Sequence, residues 1–438
     1  MMFVLMGTNI ISAFDRVGTL LRYLYTLLFY LALPFLFLRL LWRSRRDSAY
    51  RERWGERLGF CPYQFESCIW VHTVSVGETL AAVPLVKALQ AAYPNQPILI
   101  TTMTITGAAR VKAVFGNSVF QAYAPYDVPD AVERFLRRTR PEIAIIFETE
   151  LWPNLFAACK RNRIPIMLMN ARLSEKSAKG YRKIKPLTEA MLNSIHTLAA
   201  QYNPDADRFI ALGAPTSIVA VTGNLKFDID LPDNLEEKSR VLREKIGSDR
   251  LVWIAASTHP DEEEIILNAH RAIREKISNT LLILVPRHPE RFNTVAKLVE
   301  QKGFHLSRRS LGETFQADVY LADTMGELLL LYSIADVAFV AGSFAKVGGH
   351  NMLEPAVLRK PIVTGPELYN FAEISEKLIR AKGLIVVKNT RELSDEVLRL
   401  LEEPDYRKKT GENAYHTVEE NRGALKKQFD LIKSVLSR

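Results

Sequence analysis

Short apolar runs alternate with amphipathic helical stretches along most of this chain, and no other feature limits the fold as strongly. A strand covered on both faces reads as a near-continuous apolar run, and a helix between two such runs lets the strands pair in parallel. The alternation comes in two sets. The first has strand-like runs at Ile69–Thr73, Ile98–Thr102, Val119–Ala122, Ile143–Phe147, Ile166–Met169, His196–Ala200 and Ile218–Val221, with helical patterns such as Thr79–Ala92 and Ala131–Arg138 between them. The second runs Leu251–Ala256, Leu281–Val285, Val319–Ala322, Val337–Ala341, Pro361–Thr364 and Leu384–Val387, followed from about Glu402 by a charged helical tail. The expected class is α/β, with two doubly wound, Rossmann-like domains. At 438 residues and 48% hydrophobic content the chain can fill two cores. The polar, proline-containing stretch Phe227–Asn234 marks the junction. The expected boundaries are an N-terminal segment 1–45, a first domain 46–228, a linker 229–246 and a second domain 247–438.

The N-terminal segment differs from the rest. Leu20 to Trp42 carries only Arg22 and Arg39 as charges, and its aromatics and flanking arginines suit a membrane boundary. Its uncharged centre, Tyr23 to Leu38, is short for a bilayer span, so the helix either crosses with snorkelling arginines or lies in the interface. Arg43, Arg45, Arg46, Arg51, Arg53 and Arg57 follow it, an excess that places the next domain on the cytoplasmic side and forms a basic collar for anionic head groups. The net charge of +9 points the same way, to an anionic partner. The arginine cluster abuts an apolar segment and has no nucleic-acid recognition module beside it, which argues against nucleic acid. Cys61, Cys68 and Cys159 have neither paired nor metal-ligand spacing and read as reduced, buried thiols.

Ligands of open α/β sheets bind outside the carboxyl ends of the strands, so two facing domains are expected to share a cleft there. The residues just after each strand are therefore the candidates. In the first domain these include Ser75-Val-Gly-Glu78 and Glu148-Thr-Glu-Leu-Trp-Pro153, which bring carboxylates. In the second they include Ser257-Thr-His259, Pro286-Arg-His-Pro-Glu-Arg291, Met325-Gly-Glu327 and the glycine-rich turn Gly342–Pro355, which bring guanidinium, imidazole and backbone donors. The glycine turn, leading into a helix expected near Gly349, is suited to hold a phosphate on free N–H groups. Arg287 can fork onto phosphate oxygens, and Glu354 can accept from a ribose or complement its helix dipole. A basic, N–H-rich half opposed to a carboxylate-bearing half suggests group transfer, with a carboxylate taking a proton from an attacking hydroxyl. No GxxxxGK[ST] loop or GxGxxG turn is present, which disfavours P-loop and nicotinamide chemistry. The acidic run Asp261–Glu264 reads as the charged first turn of a helix rather than a metal site.

The ordered motifs Trp70–Glu78, Thr101–Gly107, Glu148–Asn154, Asn170–Ser174, Gly223–Asp228, Pro286–Arg291 and Gly348–Pro355 resemble those of the membrane-associated 3-deoxy-D-manno-octulosonic acid (Kdo) transferases of lipopolysaccharide assembly, across nearly the whole chain. The resemblance implies a GT-B glycosyltransferase at the bacterial inner membrane that moves Kdo from CMP-Kdo to a lipid A precursor, with inversion and without metal or cofactor. It further implies that Glu78 is the general base and that Glu150, with Glu148 as rival, and Lys226 stabilise the transition state. The CMP contacts would fall on Pro286, Arg287, Met325, Gly326, Glu327, Asn351, Met352, Leu353 and Glu354. Two alternatives remain at this stage: a related lipid glycosyltransferase using a UDP-sugar, and a non-catalytic, membrane-anchored binder of anionic lipid.

Overall fold

The computed structural model describes residues 2–45, 48–312 and 314–437, with side chains from Arg16 onward. Arg46 of the expected collar lies outside the described residues. The chain forms two units. The first runs to Asp228 and takes back the chain from Arg422; the second is Ile229–Asn421.

The first unit is built on β1 (Cys68–His72), β2 (Ile98–Thr102), β3 (Phe120–Tyr123), β4 (Pro141–Phe147), β5 (Ile166–Ala171), β6 (Ile195–Ala200) and β7 (Val219–Val221). They form one seven-stranded sheet in the order β3-β2-β1-β4-β5-β6-β7, parallel throughout. The second unit contributes β8 (Val252–Thr258), β9 (Leu281–Pro286), β10 (Leu306–Arg308), β11 (Val319–Leu321), β12 (Val337–Val340), β13 (Ile362–Thr364) and β14 (Leu384–Val386). Its sheet is also seven-stranded and parallel, ordered β10-β11-β9-β8-β12-β13-β14. The apolar runs are strands for the expected reason: every residue of β1, β2, β5 and β9 is buried, because helices cover both faces. In each sheet the strand order reverses once at the centre, between β1 and β4 and between β8 and β12. Adjacent connections there leave to opposite faces, which opens a crevice at the carboxyl ends.

The expected boundaries need two corrections. The stretch 229–246 is not a free linker: Leu235–Ile246 is helical, and its Leu242 and Ile246 are buried with Val252, Ile254 and Leu281 of the second unit. The second domain does not reach residue 438. Helix Ala424–Leu436 returns to the first unit, where Ala424 and Ile432 pack with Ile69, Val71 and Leu85. Asp228 takes the N–H groups of Gly423 at 2.7 Å and Leu425 at 2.8 Å. The buried Gln428 accepts from the Asn170 N–H at 3.0 Å and donates to Thr222 Oγ1 at 3.0 Å. A charged tail shows no such partners in its sequence, because they lie about two hundred residues upstream. The short edge strand β10 was also missed, since Leu306-Ser-Arg308 has no apolar run.

The N-terminal helix, Met2–Arg43, contains the one stretch among the described residues long and apolar enough to cross a membrane, Arg16–Arg43. It lies along the first unit. Gly18 sits so close to Pro186 that a Cβ would come 2.8 Å from its carbonyl oxygen. Thr26 meets Asn154 at 3.1 Å, Tyr30 donates to Asp130 at 2.5 Å, and Phe37 packs on Trp54 and Tyr126. From Gly18 to Phe37 this docking covers about 28 Å of helix at 1.5 Å per residue. The other face leaves Leu20, Leu24, Leu27, Leu31, Phe35 and Leu38 exposed. Part of the collar is engaged by the unit itself: Arg57 is buried over Tyr123, and the exposed Arg53 pairs with Glu56 at 2.6 Å.

If the returning helix is part of the first core, Gln428→Leu leaves the Asn170 N–H without its acceptor. The first unit's thermal unfolding should then weaken by about 1–3 kcal/mol, measured by scanning calorimetry on the full chain.

Candidate active site

The first unit's crevice gathers three carboxylates. Helix Val76–Ala92 starts directly after β1, with Ser75 as N-cap: its Oγ accepts from the Glu78 N–H at 3.3 Å. Glu78, in the first turn, folds its carboxylate back onto the Val74 N–H at 2.7 Å and the Ser75 hydroxyl at 2.7 Å. The side chain is thus held at the strand end rather than released into solvent, and only 7% of the residue is exposed. Burial pushes its pKa from 4.5 up to about 7; the hydrogen bonds from Val74 and Ser75 oppose the rise, and the nearby Glu150 and Glu148 add to it.

Those two come from the turn after β4, across the point where the strand order reverses. Glu148 adopts a left-handed backbone, φ 55°, that non-glycine residues rarely hold. Its carboxylate faces Lys226 Nζ at 3.7 Å. Glu150 accepts from the Trp152 indole at 2.8 Å, and burial, reinforced by Glu148, raises its pKa as well. Lys226 is placed by two amides: Asn224 Oδ1 takes the Lys226 N–H and Asn170 Oδ1 takes the Leu225 N–H, each at 3.0 Å. Behind this group lies a residue the sequence reading passed over. His72, 1% exposed, bonds Thr101 Oγ1 at 2.9 Å and meets the Trp152 ring edge-on at 5.0 Å. Burial lowers its pKa to about 4, so it is a neutral part of the floor. The expected catalytic residues Glu78, Glu150 and Lys226 therefore come together, and Glu148 joins them as the partner of Lys226.

The second unit's crevice lies between the ends of β8 and β12. The glycine-rich turn there differs from the expected phosphate cradle. The N–H groups of Gly342, Ser343, Phe344 and Ala345 converge on the carboxylate of Glu262 at 2.8, 3.0, 2.9 and 3.3 Å, and the His259 N–H joins them at 3.0 Å. An internal anion occupies the nest. The helix expected near Gly349 begins only at Leu353 and is five residues long. The acidic run is structural, as expected, but its role reaches beyond the helix dipole: Glu262 ties the loop after β8 to the loop after β12. Glu263 pairs with Arg291 and accepts from Thr258 Oγ1 at 3.0 Å. No sequence motif pairs Glu262 with a loop some eighty residues on.

Above this buried pair sits a histidine cluster. His259 and His350 approach Nε2 to Nε2 at 2.8 Å, with ring planes 7° apart and centroids 5.0 Å apart. That is an end-to-end N–H···N bond between coplanar imidazoles. His288 stands edge-on to His259 at 5.4 Å. Burial, with the other rings and Arg287 adding to it, holds His350 down near 3; His259 is lowered chiefly by burial. The His350 ring needs Gly342 beneath it, since a Cβ there would lie 2.6 Å from its Cδ2.

The expected donor residues are found in different states. Pro286 ends β9, and Arg287 follows it with its N–H on Thr258 O at 3.0 Å and its side chain exposed. Glu327 is held by Arg309 at 2.7 Å and by Thr324, which lowers its pKa. Gly326 takes φ 87° beside the exposed Met325. Asn351 caps the Leu353 N–H at 3.1 Å and donates to Glu354 at 3.0 Å. Met352 and Leu353 are buried core residues whose side chains face inward, leaving only backbone to a ligand.

Comparison with known proteins gives the family. Residues 52–229 match the model of the 3-deoxy-D-manno-octulosonic-acid transferase (kdotransferase) N-terminal family, and residues 249–417 that of glycosyl transferases group 1. A 3-deoxy-D-manno-octulosonic acid transferase of Haemophilus influenzae is 44% identical, covering 95% of this chain and 99% of its own. One of Bordetella pertussis is 34% identical with coverages of 95% and 99%. The solved UDP-GlcNAc 2-epimerase of Neisseria meningitidis is similar in fold alone, with TM-score 0.55 at 14% identity over 85% of this chain and 100% of that one. Two units that each carry a parallel Rossmann-like sheet of the GT-B class, the two matching family models and near-complete coverage by these relatives place the chain in the 3-deoxy-D-manno-octulosonic acid transferase family of glycosyltransferases.

Proposed function

We propose that this Kdo transferase takes Kdo from CMP-Kdo and attaches it to a lipid A precursor at the bacterial inner membrane, on the cytoplasmic side, with inversion and without a metal ion. What supports the reading is the Glu78 carboxyl, held at the end of β1 by Val74 and Ser75 and only 7% exposed, with Glu150 and Glu148 nearby, where burial pushes its pKa up to about 7. A base with that affinity for a proton is half-ionised at neutral pH and matched to an acceptor hydroxyl in a way that an ordinary glutamate is not. As the hydroxyl oxygen bonds to the anomeric carbon, the bond from that carbon to the phosphate breaks, the proton passes to Glu78 and CMP departs. Glu150 and Lys226 stabilise the charge that develops, Lys226 by balancing Glu148 beside it. Arg287 supports the donor assignment as an exposed guanidinium next to the histidine cluster, and the Asn351–Glu354 pair offers groups for a ribose. The half-exposed helix Arg16–Arg43 supports membrane attachment, with Arg43, Arg45 and Arg51 as the outward part of the collar.

Purified protein incubated with CMP-Kdo and a lipid A precursor should yield an acceptor heavier by Kdo in mass spectrometry, in chelator as well as without it. No product, or product only with added divalent metal, counts against the reading. CMP should displace a bound nucleotide probe better than UDP does; the reverse order points to a UDP-sugar donor.

Glu78→Gln should lose about 10²–10⁴-fold in kcat with little change in CMP affinity. In the parent, kcat/KM should rise about tenfold per pH unit up to about 7 and then level, because only the ionised carboxyl is a base. The same variant separates this role from helix capping. A carboxyl whose folded pKa lies above its ordinary 4.5 contributes stability that is present below 4.5 and lost as pH rises through about 7. Gln keeps the neutral form, so at pH 8 it should be more stable than the parent by about 1–3 kcal/mol, and at pH 4.5 equal to it. A variant that is less stable at pH 8 and fully active would identify Glu78 as a cap only.

A further inference from the structure

On the first unit, away from the carboxylates, a cavity of about 520 Å³ is lined by Arg134, Arg137, Arg138 and Arg140 with Phe60, and by Glu66 as its acidic member. Two of the arginines build its wall. Arg134 donates to the Leu58 carbonyl, stacks on Phe60 at 4.3 Å and reaches Asp130 at 3.1 Å. Arg138 donates through Nε to the Cys61 carbonyl at 2.6 Å and takes the Phe65 N–H on its own carbonyl at 3.2 Å. The loop 58–65 is thereby strapped against the helix Pro129–Thr139, and Gly59 presses so closely on Ala131 that a Cβ would be 2.0 Å from its carbonyl oxygen. The other two arginines are not used in this way. Arg137 and Arg140 are exposed, and no ion pair joins them to the described residues.

The place of this cavity relative to the apolar helix gives it meaning. Asp130, which holds Arg134, also holds Tyr30 of the N-terminal helix at 2.5 Å. Tyr30 lies among the exposed Leu27, Leu28 and Leu31, and Phe60 at the cavity is itself exposed. Since the helix docks along the unit from Gly18 to Phe37, its outer face can sink into a membrane surface only with the unit beside it. That geometry brings Arg134, linked to Tyr30 through Asp130, close to the apolar face where lipid phosphates lie, and Arg137 and Arg140 line the same cavity. Guanidinium forks suit a phosphate diester, and lining charges of four positive to one negative favour an anion.

We infer that this arginine cavity binds the phosphate of an anionic phospholipid head group in the bilayer on which the N-terminal helix rests. The inference depends on the membrane attachment proposed above, and the two are tested apart. Full-length protein is floated with vesicles of phosphatidylcholine alone and with vesicles containing phosphatidylglycerol, at low salt. The parent should float with both and prefer the anionic vesicles. The double variant Arg137→Gln/Arg140→Gln should keep its flotation on phosphatidylcholine and lose preference for phosphatidylglycerol by about tenfold or more, since each arginine near an anionic surface contributes roughly fivefold. Removing two exposed charges from the second unit, Lys408→Gln/Lys409→Gln, should leave the preference intact. An undiminished preference in the arginine variant overturns the site, as does an equal loss in the lysine variant. Saturable binding of glycerol phosphate in solution, lost in the arginine variant while vesicle preference stays whole, would assign the cavity to a soluble phosphate and overturn the lipid. Failure of the parent to float with any vesicle overturns the membrane reading itself.

Discussion

A carboxyl group removed from water beside two others is the constraint around which the first unit is arranged. Isolated, a buried carboxylate is costly and takes up a proton. Here Glu78 receives two hydrogen bonds from its own helix start, Glu150 receives the Trp152 indole, and Glu148 faces Lys226. Glu78 and Glu150 are satisfied by near neighbours in the chain, and Glu148 by Lys226 from the loop after β7. They are all delivered by the loops after β1, β4 and β7, so the parallel sheet with its reversal between β1 and β4 is what makes the cluster possible. Capping and the proposed catalysis then share a side chain: the Ser75–Glu78 motif that starts the helix also holds the carboxyl proposed as the base.

The second unit applies the same topology to the opposite electrostatic task. Its reversal lies between β8 and β12, and the loops there deliver imidazoles, Arg287 and backbone N–H groups. Glu262 fixes those loops to each other by filling the nest that an unoccupied glycine turn would offer to an anion. A ligand phosphate is thus left to the side chains above the nest and to whatever main-chain donors Glu262 does not take. His259 and His350 stand end to end beside that arrangement, because Gly342 leaves room for the His350 ring and burial, with His259 and Arg287 adding to it, disfavours its protonation.

The strands were legible because burial on both faces leaves an unmistakable apolar run, and the candidate residues were legible because they follow those runs. Glu78, Glu150 and Lys226 lie where a strand-end argument looks for them, and the roles that the motif resemblance implies for them are the ones proposed above. What the sequence concealed was long-range pairing. Nothing about Gln428 announces that it will bond Asn170, nothing about Glu262 announces the loop at 342–345, and Leu306–Arg308 is too short and mixed to read as a strand. The glycine turn does concentrate N–H donors, as its composition implies, but those of residues 342–345 hold the chain's own Glu262. Likewise Arg53 and Arg57 belong to the arginine cluster in the sequence, but the fold gives them Glu56, Tyr123 and Tyr126 as partners.

The account rests on the proton affinity of one side chain. Carbon-13 NMR of protein labelled at glutamate carboxyls, with the Glu78 signal identified by its absence in Glu78→Gln, measures that affinity without any substrate. The account predicts a titration midpoint near 7 that moves downward when Glu150 is replaced by Gln. A midpoint at the ordinary 4.5, indifferent to Glu150, would contradict it.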